Sequence, residues 1–458
     1  MNSPLNLQPV RSKKFTKAYA WGVVGMLWCL CFLNYADRQV LSAVFPVFEK
    51  QFALSKFQLG MIGSIFMWVY AASSFFAGYL TDLFKRKSLL LTGCFFWSVV
   101  AIVTGWCSSF WQFFTARALE GLGESIYFPA SQSMISDAHS EQNRSKALGV
   151  HQSGVYLGTI AGSWVGAFLA QHYGWSYGFY LFGGLGVILA GVFFFFLREP
   201  ARTLRARKGA QQEMCMPLEG QLDVFAEESK NPAPSVGIIE APLGMHEALG
   251  YLLKKPVVLL ILLAFICANF VAAIFLTWLP TFLFEKFQMK LTMAGFYSVI
   301  FIQIASALTV PLFGVLADKL SRFTSNGRVL VQIGSLLIGS ITIAIIGKAT
   351  TLPFLFTSMV LFGACKAGYD NGIFSALFDY IEPHVRGSAV GLMNTFGWVG
   401  GALGPLVVGA VATYGGEKSS AIARMSSTIA ISSIAYILGA ALLGAVILMR
   451  KGTPSEKR

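Results

Sequence analysis

The segment LNYADRQVL, from Leu33 to Leu41, places an acid and a base side by side within a long apolar run. A charged side chain inside hydrocarbon costs kilocalories of free energy, and ionisable residues in membrane segments are functional candidates by default. Asp37 and Arg38 are therefore the first residues of this chain to examine for chemistry. Adjacent residues on a helix point about 100° apart, so the two side chains do not face each other and each needs another partner.

Ionisable residues are few inside the apolar runs, and acidic residues outnumber basic ones there. Four acids and three bases lie well inside them: Asp37, Arg38, Arg117, Glu120, Glu124, Lys366 and Asp370. Burial disfavours the charged form of a carboxylate that has no partner, and such a group can take up and release a proton. The excess acid predicts a proton-carrying site. The alternative is a network of ion pairs that only holds helices together.

The spacing of these charges predicts which of them pair. Arg117, Glu120 and Glu124, in the segment RALEGLGES, share one helical face. Arg117 and Glu120 can pair locally, so Glu124 is expected to be the freer acid, with Glu120 as the alternative proton carrier. Lys366 and Asp370 are four residues apart and can neutralise each other. Alternatively, Lys366 attracts an anionic ligand.

Membrane helices are the elements that must position these charges. Hydrophobic residues make up 55% of the 458, charged residues only 12%, and the mean hydropathy is +0.62, whereas a soluble domain has roughly 25% charged residues. A span needs about 20 mainly apolar residues. The twelve segments that fit are 18–46, 58–81, 88–108, 111–137, 147–171, 175–197, 256–284, 291–317, 328–348, 352–380, 387–413 and 424–450. The first lacks a small-residue cleavage site and is predicted to be a retained span.

The chain contains an internal repeat, divided by a polar linker at 199–254 in which a short surface helix is expected near 243–253. GYLTDLFKRK (78–87) returns as GVLADKLSRF (314–323), and RSKALGVHQSGVYLGTIAG (144–162) returns as RGSAVGLMNTFGWVGGALG (386–404), at offsets of 236 and 242 residues. Duplicated halves of parallel topology are typical of secondary transporters. The predicted organisation is a tail at 1–17, a six-helix half at 18–198, the linker, a second half at 255–450 and a tail at 451–458.

The net charge of +13 lies in short basic clusters between apolar runs, namely RSKK, KRK, RTLRARK and RKGTPSEKR. This is the positive-inside pattern, and it favours a membrane protein with both termini and the linker in the cytoplasm over a nucleic-acid-binding one. Six of the seven cysteines lie within apolar runs, and no CxxC pair occurs, so neither a disulfide framework nor a metal site is expected. No cofactor is predicted.

A membrane enzyme or a sensor is the alternative from another class. No catalytic triad, metal-binding cluster or phosphate-binding loop stands out in the sequence. The segment GLGES is not a nucleophile elbow, because no serine stands between its glycines. A sensor would be expected to append a signalling domain, and none is visible. Both alternatives are therefore disfavoured.

One loop motif and three intramembrane segments resemble a known family. The motif consists of Gly78, Leu80, Asp82, Arg86 and Lys87, with a weaker copy at Gly314, Leu316, Asp318 and Arg322, and it resembles the loop motif of the major facilitator superfamily. The likeness covers nearly the whole chain and implies an all-α membrane protein of twelve transmembrane helices in two six-helix halves. NYADR, RALEGLGES and NTFGWVGGALGP resemble its anion:cation symporter family. Members of that family carry organic anions such as sugar acids, usually with protons. Spinster-type lipid transporters share the Asp-Arg pair and a Gly-x-Gly-Glu segment and are the close competitor.

The resemblance and the residue chemistry together assign expected roles. Arg38 presents a planar fork of donors suited to a carboxylate. The predicted substrate ligands are Arg38, Tyr35, Tyr70, Gln152, Asn394 and Lys366. The predicted proton carriers are Asp37 and Glu124, with Glu120 as the alternative, and Arg117 and Asp370 complete the charge network. Glu120 departs from the family pattern, in which an apolar residue is commoner. The loop motif around Asp82 is expected to gate transport by stabilising one state.

The expected protein is a monomer in the cell membrane that takes up a small organic anion, such as a hexuronate-like sugar acid, together with H⁺. Its two halves are expected to rock about a site at the middle of the bilayer. A lipid or lysolipid transporter of the Spinster type would instead need a cavity that opens sideways to the bilayer.

The charge asymmetry generates a prediction about topology. A single cysteine placed in the linker of a cysteine-depleted variant should react with a membrane-impermeant maleimide in inside-out vesicles and not in intact cells, because the basic loops are retained in the cytoplasm. Labelling after detergent permeabilisation controls for reactivity of the thiol. Labelling of the linker from the outside of intact cells would contradict this orientation.

Overall fold

The computed structural model describes residues 16–199, 245–324, 326–382, 385–415 and 420–451, and over these residues the chain is helical, with no strand. The helices are α1 Lys17–Phe52, α2 Lys56–Leu83, α3 Arg86–Thr104, α4 Phe110–Glu124, α5 Tyr127–Ala138, α6 Glu141–His172, α7 Ser176–Phe196, α8 Met245–Lys254, α9 Pro256–Lys286, α10 Leu291–Phe323, α11 Gly327–Lys348, α12 Leu352–Phe378, α13 Arg386–Tyr414, α14 Ala421–Ile431 and α15 Ser433–Lys451.

The predicted all-α membrane architecture is confirmed. Ten helical segments of the described chain are long and apolar enough to cross a membrane, with α14 and α15 forming one of them. The helix α2 and the pair α4–α5 occupy the places of the two remaining predicted spans. The pair is divided after Glu124 because Pro129 has no backbone N–H, and its ring clashes with the carbonyl of the residue four positions earlier, Ser125.

Successive spans run in opposite directions, so the bundle has two ends. We call the end where α1 begins, α7 ends and α9 begins the linker end, and the opposite end the distal end. The short helix predicted near 243–253 is observed as α8, whereas residues 200–244 of the linker lie outside the described chain. At the linker end, Tyr251 of α8 donates a hydrogen bond to Glu382, and Lys255 lies 3.1 Å from the same carboxylate. These contacts, the hydrogen bond from Tyr251 first, hold the pKa of Glu382 below its ordinary value.

A stripe of glycines brings α6 against α1 within the first half. A Cβ at Gly158 would lie 2.3 Å from the carbonyl oxygen of Phe32, and a Cβ at Gly162 would lie 2.0 Å from that of Ala36. Only glycine permits such an approach of two backbones, as in other small-residue stripes of membrane helices. The glycines that recur every four residues on α6, namely Gly154, Gly158, Gly162 and Gly166, therefore form a packing surface between two helices of the same half.

The two halves meet chiefly where α2 packs on α13, α6 on α10 and α1 on α9. Several of these contacts lie toward the distal end. The hydroxyl of Ser163 donates to the carbonyl of Gly295 over 2.7 Å, and a Cβ at Gly60 would lie 2.6 Å from the carbonyl oxygen of Pro405. Near the middle, Gln39 donates to the carbonyl of Leu276 over 2.6 Å. The halves are thus joined from the middle to the distal end.

The close packing of α1 and α6 predicts the effect of one methyl group. Gly162→Ala should lower the apparent melting temperature of the detergent-purified protein by several degrees, because overpacking costs about 1–3 kcal/mol. Gly149→Ala is the matched control on the same helix, since nothing lies within 4 Å of its added Cβ, and it should not destabilise the protein. Equal melting temperatures for the two variants would show that α6 does not pack on α1 as described.

Candidate functional site

A central cavity of about 470 Å³ lies between the two halves, within the range of small-molecule sites, about 300–1,000 Å³. Its wall includes Tyr35, Gln152, Asn394 and Lys366, four of the six predicted substrate ligands. Because these residues lie on α1, α6, α13 and α12, the cavity is built from both repeats. It extends from the middle of the bundle toward the linker end, since Gln152 and Asn394 lie in the parts of α6 and α13 nearest that end.

Arg38 and Tyr70, the other two predicted ligands, lie beside the cavity and not in its wall. The guanidinium of Arg38 is enclosed by four aromatic rings, whose centroids lie 4.7 Å (Tyr35), 4.8 Å (Phe66), 5.0 Å (Tyr70) and 5.4 Å (Trp398) from its central carbon. Such contacts attract a cation through the negative faces of the rings. Trp398 belongs to the second half, so both halves contribute to the enclosure, which we call the aromatic cage.

Two ion pairs join the charges of α1 and α4. Arg38 pairs with Glu124 across the two helices, and Arg117 pairs with Glu120 within α4. The local Arg117–Glu120 pair is the one predicted from the spacing. The spacing along α4 left Glu124 without a partner, but in the structure Arg38 of α1 holds it. Helical spacing along α4 carries no information about α1.

Asp37 is the buried acid that is left without a basic partner. Its side chain is 3% exposed, and neither carboxylate oxygen has a hydrogen-bond partner among the residues that the structure describes. The amide of Asn34, one turn earlier on α1, is buried and unpartnered in the same way. Glu120, by contrast, holds Arg117 and lies 3.4 Å from the hydroxyl of Thr104. Of the three candidate proton carriers, Asp37 therefore has the fewest contacts and Glu120 is the most firmly held.

The ring of Phe66 on α2 lies between the two arginines. Its centroid is 4.8 Å from the guanidinium carbon of Arg38 and 4.7 Å from that of Arg117. A glycine permits this arrangement, because a Cβ at Gly121 of α4 would lie 2.5 Å from the carbonyl oxygen of Phe66. The charges of α1 and α4 and the ring of α2 thus form one buried layer beside the cavity.

Lys366 and Asp370 of α12 form the predicted pair, with side chains 25% and 44% exposed. They are the charged side chains of the described cavity wall. Polar and aromatic lining residues that the sequence analysis did not select include Tyr156, Thr159, Gln303 and Trp398. Trp398 stands within the segment NTFGWVGGALGP, but a tryptophan in a span gives no sign that it faces a cavity.

The loop motif lies at the linker end of the first half. Gly78 and Asp82 belong to the last turns of α2, and the side chain of Asp82 is outside the described part of the chain. Arg86 is buried, with Nη1 2.7 Å from Asp137 at the end of α5 and Nε 3.2 Å from Glu199 after α7. Lys87 donates to the carbonyl of Phe194 over 2.7 Å. The basic half of the motif thus ties α3 to α5 and α7.

In the second half, Gly314 and Asp318 lie on α10, and Arg322 lies in its last turn. Asp318 is 3.8 Å from Arg328, and Arg328 is 3.3 Å from Asp379. Arg328 and Asp379 follow Arg86 and Asp137 by the same 242 residues. Arg328, and not Arg322, is therefore the counterpart of Arg86. The second copy of the loop motif has more residues between Asp318 and this arginine than the first copy has between Asp82 and Arg86.

The chain resembles known proteins over nearly its whole length. The model of the Major Facilitator Superfamily matches residues 27–405 and 302–458. The chain is 25% identical over 445 residues to the "Probable galactarate/D-glucarate transporter GudP" of Escherichia coli (strain K12), covering 93% of this chain and 94% of that protein. It is 25% identical over 428 residues to the "Hexuronate transporter" of Bacillus subtilis (strain 168), covering 91% and 93%.

Solved structures of similar fold include a bacterial homolog to the human lysosomal transporter Spinster in an inward-facing and unoccupied conformation. That structure has a TM-score of 0.75 and 19% sequence identity, and the match covers 96% of this chain and 100% of that chain. At this identity the likeness concerns the fold alone.

Glu124 has a basic partner and Asp37 has none, so neutralising the two acids should affect stability differently. Glu124→Gln leaves Arg38 as a buried cation without its counter-ion, and breaking a buried pair in this way costs about 3–5 kcal/mol. Asp37→Asn removes a carboxylate that has no partner and should leave the melting temperature of the purified protein unchanged or raise it. If Asp37→Asn lowers the melting temperature as much as Glu124→Gln does, Asp37 is paired in the protein and its assignment as the unpartnered acid is wrong.

Proposed function

The chain belongs to the Major Facilitator Superfamily, and from this membership we propose that it imports a small organic anion together with protons. As a member it is a multi-pass membrane transporter and not an enzyme. Its relatives named as galactarate/D-glucarate and hexuronate transporters support a sugar acid as the cargo. Import places it in the cell membrane, where it works as a monomer with both termini in the cytoplasm.

The arrangement of Arg38 carries this proposal. Arg38 is a buried cation beside the cavity, held by one carboxylate, Glu124, and enclosed by rings from both halves. A substrate carboxylate offers the same two oxygens as Glu124 and can take its place on the guanidinium fork. Glu124, released from its partner in a buried site, then binds a proton, because an unpaired buried charge is costly. Competition for one arginine couples the anion to H⁺.

Asp37 is the second proposed proton carrier. It is buried without a partner, and a proton removes the cost of the uncompensated charge. It is next to Arg38 in sequence, so its charge bears on the same site. Glu120 is assigned a structural role, because Arg117 and Thr104 hold it. In this assignment Arg117 and Asp370 are the counter-ions of Glu120 and Lys366 and carry no proton.

The cavity wall suits a hydroxylated anion. Gln152 and Asn394 occupy corresponding positions of the two repeats and can hydrogen-bond opposite sides of one ligand. Lys366, partly exposed in the cavity, attracts negative charge from the second half, with Asp370 as its resting partner. Binding between the two halves is what alternating access requires. Because the halves are joined from the middle to the distal end, the described state is the one that faces the linker side.

Uptake into proteoliposomes tests the cargo and the coupling together. With an inwardly directed proton gradient, labelled galactarate or glucuronate should accumulate, whereas a labelled lysolipid should not be moved. Asp37→Asn should abolish accumulation to the level of empty liposomes, and Glu124→Gln should lose accumulation but retain counterflow, because exchange needs no net proton movement. Glu120→Gln is the matched control, a buried acid of the same helix that should still accumulate substrate.

Gradient-driven accumulation by both Asp37→Asn and Glu124→Gln at the level of the unmodified protein would refute proton coupling through these acids. Transport of the lysolipid instead of the sugar acids would favour the Spinster-type function. Protein levels in the liposomes must be matched, so that lower uptake reflects transport and not reconstitution.

The role of Arg38 has a separate test. Arg38→Lys keeps the positive charge but loses the planar fork, and the loss of a charge-assisted hydrogen bond of about 1.5–3 kcal/mol should weaken binding of the transported anion about tenfold or more. Isothermal titration with the folded, purified variant measures the affinity. An affinity equal to that of the unmodified protein would place Arg38 outside the binding site.

A further inference from the structure

Three charges at the distal end stand at unfavourable positions on their helices. Lys56 is the first residue of α2, where the positive end of the helix dipole repels a cation, and Glu49 and Glu285 lie in the last turns of α1 and α9, where the negative end repels an anion. Each such placement costs about 0.3–1 kcal/mol near a helix end. Local helix chemistry therefore does not account for any of the three.

The structure brings the three charges together. The ammonium of Lys56 lies 2.7 Å from Glu49 and 2.6 Å from Glu285. Its side chain is 5% exposed, so the lysine is buried between the carboxylates. Glu49 belongs to the same half as Lys56, whereas Glu285 belongs to the other half. The Lys56–Glu285 contact is thus a charged bridge across the interface that must separate when the distal end opens.

The repeat makes this bridge asymmetric. Both halves carry the triplet Phe-Glu-Lys at the same place, residues 48–50 and 284–286, so Glu49 and Glu285 are equivalent. Lys56 has no equivalent, because the first residue of α10 is Leu291. Two related acids of opposite halves therefore converge on one lysine. The duplicated sequence alone would suggest that each half has its own separate and equivalent site for this acid.

Neutral contacts beside the bridge do follow the repeat. The backbone N–H of Phe57 donates to the hydroxyl of Thr413 over 2.9 Å, and the N–H of Thr292 donates to the side-chain oxygen of Gln171 over 3.0 Å. Thr413 and Gln171 are 242 residues apart, as Asn394 and Gln152 are. The starts of α2 and α10 are thus each capped by a side chain of the opposite half. Lys56 adds a charge to an interface that also carries this symmetric pair of hydrogen bonds.

We propose that Lys56 is the positioning residue that closes the distal gate, and that its bridge to Glu285 sets the fraction of molecules whose cavity faces the linker side. On opening, Glu285 leaves with the second half while Glu49 remains beside Lys56. The lysine therefore keeps a counter-ion, and opening does not leave a buried charge unpaired, which would cost several kcal/mol. This assignment of Lys56 rests on the proposed transport function of the chain and not on the identity of the carried anion.

A cysteine reporter at the interface measures opening without any substrate. Thr277 of α9 is 3% exposed and lies 3.2 Å from the Cβ position of Gly63 on α2, so Thr277→Cys in a cysteine-free background reacts with a membrane-impermeant maleimide only when the halves separate. Lys56→Met and Glu285→Gln should each raise the labelling rate about fivefold or more, the size of a modest conformational coupling. Lys290→Met, an exposed lysine at the same end, is the control and should label like the parent.

Rescue separates a gate from a merely structural contact. Lys56→Arg, and the exchange Lys56→Glu with Glu285→Lys, keep a charged bridge and should return labelling toward the parental rate. A parental labelling rate in Lys56→Met and Glu285→Gln, both folded by size-exclusion chromatography, would overturn the proposal, as would failure of the exchanged pair to slow labelling. If Lys56→Met does not fold, Glu285→Gln and the exchanged pair decide by the same criteria. Because no anion is present, the result is independent of the transport assays.

Discussion

A charge buried away from water needs a counter-charge or a proton, and the arrangement of this bundle depends on that constraint. Helices that lie in hydrocarbon gain little from polar groups on their surfaces, yet this chain keeps seven Asp, Glu, Lys and Arg residues well inside its spans. Six of them form three ion pairs: Arg38 with Glu124, Arg117 with Glu120, and Lys366 with Asp370. The seventh, Asp37, has no partner among the described residues. The excess carboxylate leaves a net negative charge, which a bound proton neutralises and which a bound anion without a proton would increase.

The paired charges differ in how firmly the packing holds them. The Arg117–Glu120 pair lies within one helix and is supported by Thr104 and by the ring of Phe66. The Arg38–Glu124 pair joins two helices, and its arginine is enclosed partly by Trp398 of the other half. A movement between the halves therefore changes the surroundings of Arg38 and leaves those of Arg117 in place. This difference gives the physical basis for assigning a structural role to one pair and a transport role to the other.

The repeat supplies symmetry at the level of the backbone, and single residues then break it. Glycines of α6 and α13 let each helix approach its partner of the same half, as Gly158 does with Phe32 and Gly400 with Ile266. The Arg86–Asp137 pair returns as Arg328–Asp379, but the charges of the central layer and Lys56 are not repeated. The buried acid-rich layer belongs to the first half, the Lys366–Asp370 pair to the second, and Lys56 to one side of the distal end only. A duplicated scaffold thus carries different chemistry in its two halves.

The sequence by itself determined the helical architecture, the two-half organisation and the local ion pairs. Apolar length marks a span, and pairs such as Arg117–Glu120 and Lys366–Asp370 follow from the geometry of one helix. It also predicted Gln152 and Asn394 as substrate ligands, and both line the cavity. Tertiary structure decided what crosses between helices: that Glu124 and not Asp37 has a partner, that Arg328 replaces Arg322 as the counterpart of Arg86, and that Lys56 meets Glu285. Such partners are distant along the chain, and which faces meet depends on packing that no local spacing encodes.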